Sequence, residues 1–431
     1  MVERRTPILV SEAVEKVMAF AKTGVKEYVA ITSACGRYLA EDLIAAHDVP
    51  SFDRSPYDGF AIRAEDTTDA QRNHPVTFEV VGEIGAGYVF EEQVGAFQAV
   101  RIMTGAALPD GCDAVIKLEL TKEFSENEKK YFVINRPLQK GENISFKGED
   151  TREGTVLAKK GTYINPGISA LLATFGYSKV PVAKKPTIGV IATGSELLEV
   201  QQPLEKGKIR NSNAYMIMSQ IERVGATVRY FGQLSDDFDR CYSAVEEALS
   251  QVDMLITTGG VSVGDYDYLP AIYEKLGAEV LFNKVAMRPG SVTTVAHLND
   301  KLLFGLSGNP SACYVGFELF VRPVTRTYLF NTAPHLKNIK AVLGEDFDKS
   351  NPFTRFIRGK IILDETGRAV VTPSGFNKSN AVASLAETNV LIIIPGRTKD
   401  YKKGSLVDVL LLEEVQGSEW PWETIVLSYR S

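Results

Sequence analysis

At 431 residues the chain is too long for one ordinary hydrophobic core, and length alone predicts about three domains. A hydrophobic fraction of 44% with 24% charged residues is that of a soluble globular protein and excludes the disordered and fibrous classes. The formal charge of −6 argues against a general nucleic-acid binder, so an anionic ligand would have to meet a local basic cluster.

The amino-terminal Met-Val-Glu-Arg-Arg-Thr-Pro leads into an amphipathic segment and not an apolar signal core, and no apolar run approaches about 18 residues, which predicts a cytoplasmic protein with no membrane partner. Ser11 precedes Val14, Val17, Met18 and Ala21 at helical spacing, which predicts an N-capped helix ending near Gly24. An alanine-rich stretch around Arg37 to Glu41 reads as a second helix. From about Val49 to Leu138, short alternating runs separated by glycine and proline predict a small β-rich insertion; they include Val76 to Val81, Ala99 to Met103 and Ala114 to Leu120. The charged stretch from Thr121 to Lys130 reads as a solvated hairpin tip. Pro181-Val182-Ala183-Lys184-Lys185-Pro186 reads as a linker.

Beyond it, strand-like runs at Ile188 to Ala192, Val228 to Phe231, Met254 to Ile256 and Leu302 to Leu306 alternate with helical patterns from Ser212 and from about Asp239 to Ser250. That alternation predicts βαβ units around a mostly parallel sheet. After Pro334 come short strands, Ile339 to Val342, Phe356 to Ile362, Ala369 to Thr372, Val390 to Ile394 and Leu406 to Leu412, expected to form a small β-barrel or sandwich. The expected domains are 1–48 with 139–184, an inserted 49–138, an α/β domain over 185–333, and 334–431.

Ligands of an open parallel sheet bind outside the carboxyl ends of its strands, so the loops after the strands carry the functional signal. The first is Thr193-Gly194-Ser195-Glu196, with Glu196 read at a helix opening; its plain alternative is a favourable N-terminal acid worth about 0.5 kcal/mol. The second is Ser235-Asp236-Asp237, alternatively a helix N-cap. In the third, Gly259-Gly260-Val261-Ser262-Val263-Gly264-Asp265-Tyr266-Asp267, glycines let backbone N–H groups approach an anion while the two carboxylates would repel a bare phosphate; a magnesium ion between them resolves the conflict. The fourth, Ser307-Gly308-Asn309-Pro310, is a turn into an apolar helix and a ready anion site, alternatively a capped turn. Lys284 and Arg288, beside Pro289-Gly290, supply local positive charge.

The chain has no P-loop, no dinucleotide fingerprint and no nucleophile elbow. Cys35, Cys112, Cys241 and Cys313 are far apart and suit a reducing compartment; with only four histidines and no H-E-x-x-H, a zinc site is not expected. These residues reach a magnesium-dependent enzyme, or binder, of a phosphorylated small molecule, and do not name that molecule.

The four loops resemble those of the molybdopterin molybdenumtransferase family, the MoeA-type enzymes of molybdenum cofactor synthesis to which the enzymatic end of gephyrin also belongs. So do Ser51-Phe52-Asp53-Arg54-Ser55-Pro56-Tyr57-Asp58-Gly59-Phe60-Ala61, Arg101-Ile102-Met103-Thr104-Gly105-Ala106 and Asn143-Ile144-Ser145-Phe146-Lys147-Gly148-Glu149-Asp150. The resemblance spans nearly the whole chain. It implies a multidomain α/β plus β protein: an elongated N-terminal domain with a β-rich insertion, a MoaB/MogA-like molybdopterin-binding α/β domain, and a C-terminal small β-barrel. It also implies a homodimer whose active site is shared between subunits, other molybdenum cofactor synthesis proteins as partners, and a reaction that inserts molybdate into adenylylated molybdopterin with release of AMP and a divalent cation, Mg2+.

By the same resemblance Asp58, Asp150, Glu196, Asp236 and Asp267 are the catalytic carboxylates. Asp236 and Asp267 are assigned to the metal, and Glu196 and Asp58 to orienting molybdate or the attacking water. Substrate contacts fall on Thr104, Thr193, Gly194, Ser195, Gly259, Gly260, Ser262, Gly264, Lys284, Arg288, Pro289, Gly290, Ser307, Gly308, Asn309 and Pro310. Two departures from the family pattern stand out: Ser291 where many relatives carry a second lysine, and Ser307 where they carry proline. The rival readings are a molybdopterin adenylyltransferase, which lacks the outer domains and shows Gly-Gly-Thr-Gly in the third loop, a competence-damage-type nucleotide pyrophosphatase, and a gephyrin-like scaffold.

Overall fold

The computed structural model describes residues 6–234, 237–260, 268–348, 350–398 and 401–412. Its centre is a six-stranded sheet in the spatial order Thr227–Leu234, Thr187–Thr193, Met254–Thr258, Lys301–Leu306, Thr294–Leu298, Glu279–Phe282. The first four strands pair in parallel and the last two join through antiparallel pairings, Thr294–Leu298 alone running against the rest, so the expected mostly parallel sheet carries an antiparallel edge. Its strands read as continuous apolar runs because both faces are covered. Period-two alternation sends Ile188, Val190 and Ala192 to one face, against Ala214, Ile217 and Ile221 of the helix Ser212–Arg223, and Ile191 to the other, against Val245 and Leu249 of the helix Phe238–Gln251. The same first face takes Cys313, Val315, Phe317 and Phe320 from a continuous helical run, Pro310–Gly316, a π-helical turn Phe317–Val321, and Arg322–Tyr328.

Several local expectations change in the amino-terminal part. The first helix is Val10–Met18 with Leu9, not Ser11, at its N-cap. Ile8 bridges to Val285 and sets the entry upstream, and Ala13 and Val17 pack in the same cluster as the central sheet. No helix forms around Arg37 to Glu41. Gly36 turns the chain at a φ of 81°, and Tyr38 and Leu39 bridge to Tyr163 and Val182, so tertiary pairing overrides alanine propensity. Pro181–Ala183 is not a linker but part of the strand Lys179–Ala183, paired antiparallel to Lys26–Ala30 and buried from Val180 to Ala183.

The β-rich part is a six-stranded sheet ordered Ala114–Lys117, Gly59–Ile62, Gln98–Ile102, Val76–Ile84, Lys129–Ile134, Lys122–Glu126. The charged stretch after Thr121 is its fully exposed edge strand, and the hairpin reverses at Asn127 and Glu128, both at positive φ as a two-residue turn requires. Beyond residue 334 the five strands Asn338–Leu343, Thr354–Leu363, Ala369–Pro373, Val390–Ile394 and Leu406–Leu411 form a barrel. Thr354–Leu363 pairs with both Ala369–Pro373 and Val390–Ile394, which closes the sheet and removes its edges. Met287–Arg288 runs parallel beside Thr354 and Arg355 and joins the central unit to the barrel. Among the described residues no helix is long and apolar enough to cross a membrane.

Candidate active site at the carboxyl edge of the central sheet

Three of the four sequence-predicted loops come together where the parallel strands end. Gly259 donates its N–H to Leu306 O at 3.0 Å, and Thr193 Oγ1 donates to Thr258 O at 3.3 Å. Gly259 and Gly260 take φ values of 92° and 65°, and a Cβ on Gly259 would stand 2.6 Å from Thr193 O, so this close approach of backbones needs glycine. Gly308 packs 3.7 Å from Gly259 Cα, measured from the site of its absent Cβ. Glu196 does not open a helix. It sits in a turn before the two-residue strand Leu197–Leu198, held extended against Ile209–Arg210, and its carboxylate folds back over Gly194. Ser195 O accepts from Lys208 Nζ. In the second loop Asp237 is the N-cap of the helix Phe238–Gln251, accepting from Arg240 N at 2.9 Å. Asp236, Ser262, Gly264 and Asp267 lie outside the described residues.

In the fourth loop Asn309 holds the N-cap position without a side-chain cap hydrogen bond among the described residues, and Pro310 is the first helical residue, where a missing N–H costs nothing. Ser307 and Asn309 face a cavity of about 280 Å³ between the central unit and the barrel. One wall is Arg288, Pro289, Gly290 and Ser291; the other comes from the barrel, with Asn351, Arg355, Arg358 and Lys378. No carboxylate is among the described lining residues. Lys284, expected beside Arg288, does not line this cavity; its carbonyl accepts from Ile8 N at 3.1 Å.

Arg358 explains why this wall is basic and fixed. In the strand Thr354–Leu363, Ile357 and Ile361 point into the barrel core, whereas Phe356 packs with the central cluster, and Arg358 shares its face. Arg358 is 1% exposed; Nε donates to Ser384 Oγ, and Nη2 to Phe376 O and Lys378 O, each at 3.2 Å. Its Nη1 makes no hydrogen bond among the described residues and is the donor pair left for a ligand. Burial lowers the pKa of Arg358 and Arg355 from the ordinary guanidinium value, so each charge gains from an anion brought beside it. Arg288 Nη1 donates to Ser291 Oγ at 3.0 Å, so Ser291 orients the neighbouring arginine. Sequence reading missed Arg355, Arg358, Asn351 and Lys378. The signal was there in Arg358, a charge inside the apolar strand run Phe356 to Ile362, but its partners are distant in sequence.

Asp58, Thr104 and Asp150 belong to the amino-terminal region and do not line this cavity. Asp58 Oδ1 accepts from Thr104 N at 2.7 Å and Thr104 Oγ1 at 2.8 Å, and these two donors, with the charge of Arg101, hold its carboxyl below the usual carboxylate range. Among the described residues no group of three or more His, Cys, Asp and Glu side chains could hold a metal ion, so these residues do not make a cation site by themselves.

Comparison with known proteins gives three matches along the chain. Residues 8–176 match the MoeA N-terminal region (domain I and II), residues 189–327 a probable molybdopterin binding domain, and residues 340–412 the MoeA C-terminal region (domain IV). The chain is 59% identical to a molybdopterin molybdenumtransferase of Bacillus subtilis (strain 168), over 99% of each chain, and 51% identical to one of Staphylococcus aureus (strain COL), over 97% of this chain and 99% of the relative. It is also similar to a crystal structure of the molybdopterin biosynthesis moeA protein of Pyrococcus horikoshii, with 30% identity, a TM-score of 0.79, and coverage of 94% of this chain and 100% of that one.

Proposed function

The chain belongs to the molybdopterin molybdenumtransferase family, and from that premise we propose that it inserts molybdenum, supplied as molybdate, into adenylylated molybdopterin. The observation that carries this reading is the basic cavity between the central unit and the barrel. Its volume of about 280 Å³ is just below the range for organic ligands, roughly 300–1,000 Å³, and it has guanidinium donors with no opposing carboxylate among the described lining residues. That combination suits a small oxyanion such as molybdate. Arg288, Arg355 and the Nη1 of Arg358, unbonded among the described residues, supply charge-assisted hydrogen bonds, while Ser307 and Asn309 close the turn at the helix start. The larger pterin nucleotide then runs along the loops at the sheet edge, beside the positive-φ backbone of Gly259 and Gly260.

In the proposed reaction the two thiol groups of the dithiolene form Mo–S bonds, and their protons leave with one molybdate oxygen as water. A second water attacks the adenylyl phosphorus, the phosphoanhydride P–O bond breaks, and AMP departs. Glu196, exposed at the edge, and Asp58, kept ionised by Thr104, are assigned to orienting water or molybdate; Asp150 accompanies Asp58 in the amino-terminal region. Because Asp58, Thr104 and Asp150 do not line the basic cavity, the reading has them supplied by a second copy of the chain in a homodimer. Asp236 and Asp267 are assigned to Mg2+, whose bound charge would offset the phosphate oxygens.

The test is AMP release from adenylylated molybdopterin with Mg2+, with and without molybdate, in wild type and Asp267→Asn. Molybdate-dependent release that the substitution removes supports the reading. A folded wild-type protein that binds the substrate and releases no AMP overturns it in favour of a binding or scaffold role.

A further inference from the structure

The first turn of the helix Ser212–Arg223 is bonded to two site loops at once. On one side its N-cap, Asn211, accepts from Ala214 N at 3.1 Å and donates from Nδ2 to Tyr230 Oη at 3.0 Å. Tyr230 Oη in turn donates to Glu199 Oε1 at 3.0 Å, and Tyr215 Oη donates to Glu199 Oε2 at 3.3 Å. Glu199 lies three residues beyond Glu196, and Asn211 N also donates to Leu198 O at 2.8 Å, so the helix start is fixed to the Glu196 loop. Burial keeps Tyr230 protonated, and so a donor to Glu199, by raising its pKa.

On the other side Asn213 Nδ2 donates to Gly308 O at 2.8 Å, within the turn that presents Ser307 and Asn309 to the basic cavity. Asn213 Oδ1 is buried and has no partner among the described residues. The amide cannot turn to offer that oxygen another partner without giving up Gly308. The far end of the helix is pinned as well: Gln220 Nε2 donates to Glu318 Oε1 at 2.6 Å and to Tyr314 O at 3.3 Å, both on the helical run that starts at Pro310. Asn213 therefore acts from a rigid support.

We propose that Asn213 is a positioning residue for the anion-binding turn, aiming Ser307 and Asn309 into the basic cavity, with the Glu199–Tyr230–Asn211 relay keeping that turn in register with the Glu196 loop. The role in substrate binding rests on the reading of the cavity as the molybdate site; the mechanical role does not.

The experiment uses the full chain as wild type, Asn213→Ala, Asn213→Asp, Tyr230→Phe and the double variant Asn213→Ala/Tyr230→Phe. Asn213→Asp preserves shape and lacks the donor. Amide hydrogen exchange of peptides covering 306–312, in ligand-free protein, should speed up in every variant while the strand 301–306 stays protected. In turnover, the molybdate KM should rise about five- to tenfold with kcat within about twofold of wild type, as loss of one hydrogen bond to a preorganised turn implies. The double variant should be no worse than Asn213→Ala, since the relay acts through Asn213. Unchanged exchange at 306–312, or a fall in kcat at constant KM with a lowered melting temperature, overturns the proposal. If wild type shows no molybdate-dependent turnover, the functional reading fails, and the exchange data still decide whether Asn213 holds the turn.

Discussion

Arg288→Ala is the sharpest test of the basic cavity, because Arg288 is exposed and its loss leaves the fold intact. Among the described residues the side chain makes one hydrogen bond, Nη1 to Ser291 Oγ at 3.0 Å, and its guanidinium lies 5.7 Å from the centre of the Phe353 ring. Removing it leaves a buried serine hydroxyl short of one partner, an effect on stability of about 1 kcal/mol. Removing one charge-assisted contact from a bound dianion costs more, about 1.5–3 kcal/mol, and exposure places Arg288 at the lower end of that range. With about 1.4 kcal/mol per factor of ten, the molybdate KM should rise about 10- to 30-fold. Arg288→Lys keeps the charge and loses the planar fork, so its KM should rise only about threefold. The assay is the initial rate of AMP release against molybdate concentration, repeated at two salt concentrations, with thermal unfolding as the control. An unchanged molybdate dependence in folded Arg288→Ala refutes the cavity as the oxyanion site.

Three further outcomes follow from the geometry. Because Thr104 holds Asp58 below its ordinary pKa of about 3.9, the stabilisation those bonds supply is complete above that pH and is lost only as pH falls through the lowered folded value. A carboxyl ¹³C titration should therefore find Asp58 ionised throughout the neutral range, and Thr104→Val should raise its pKa only part of the way, since the backbone donor remains; a wild-type Asp58 titrating near pH 5 contradicts this. Gly259→Ala places a Cβ 2.6 Å from Thr193 O at a φ of 92° and should destabilise by roughly 2–4 kcal/mol in denaturant unfolding; a shift below about 0.5 kcal/mol would show that the loops are not in contact. Of the four free thiols only Cys35 is exposed, while burial pushes Cys112 up to about 12 and raises Cys313, so iodoacetamide at pH 8 should label Cys35 first, as read by peptide mass mapping.

What the sequence determined by itself was local chemistry and the rhythm of the chain. The four apolar runs from Ile188 to Leu306 became adjacent parallel strands because period and turn residues already encode a βαβ order, and Asn309-Pro310 started its helix as its turn chemistry requires. Glycine at 259 and 260 was legible for the same reason, since positive φ is a local demand. Tertiary structure decided whatever depends on partners far apart in the chain. Residues Arg37 to Glu41 lost their helix to bridges with Tyr163 and Val182, and Pro181–Ala183 became a buried strand by pairing with Tyr28 and its neighbours. The basic cavity itself joins Arg288 to Arg358 across 70 positions, and Arg358 is charged yet buried only because barrel closure brings Ser384 and two carbonyls to it. A motif can name residues that bind. Which of them meet in one cavity is set by long-range packing, whose free energy no local window of sequence contains.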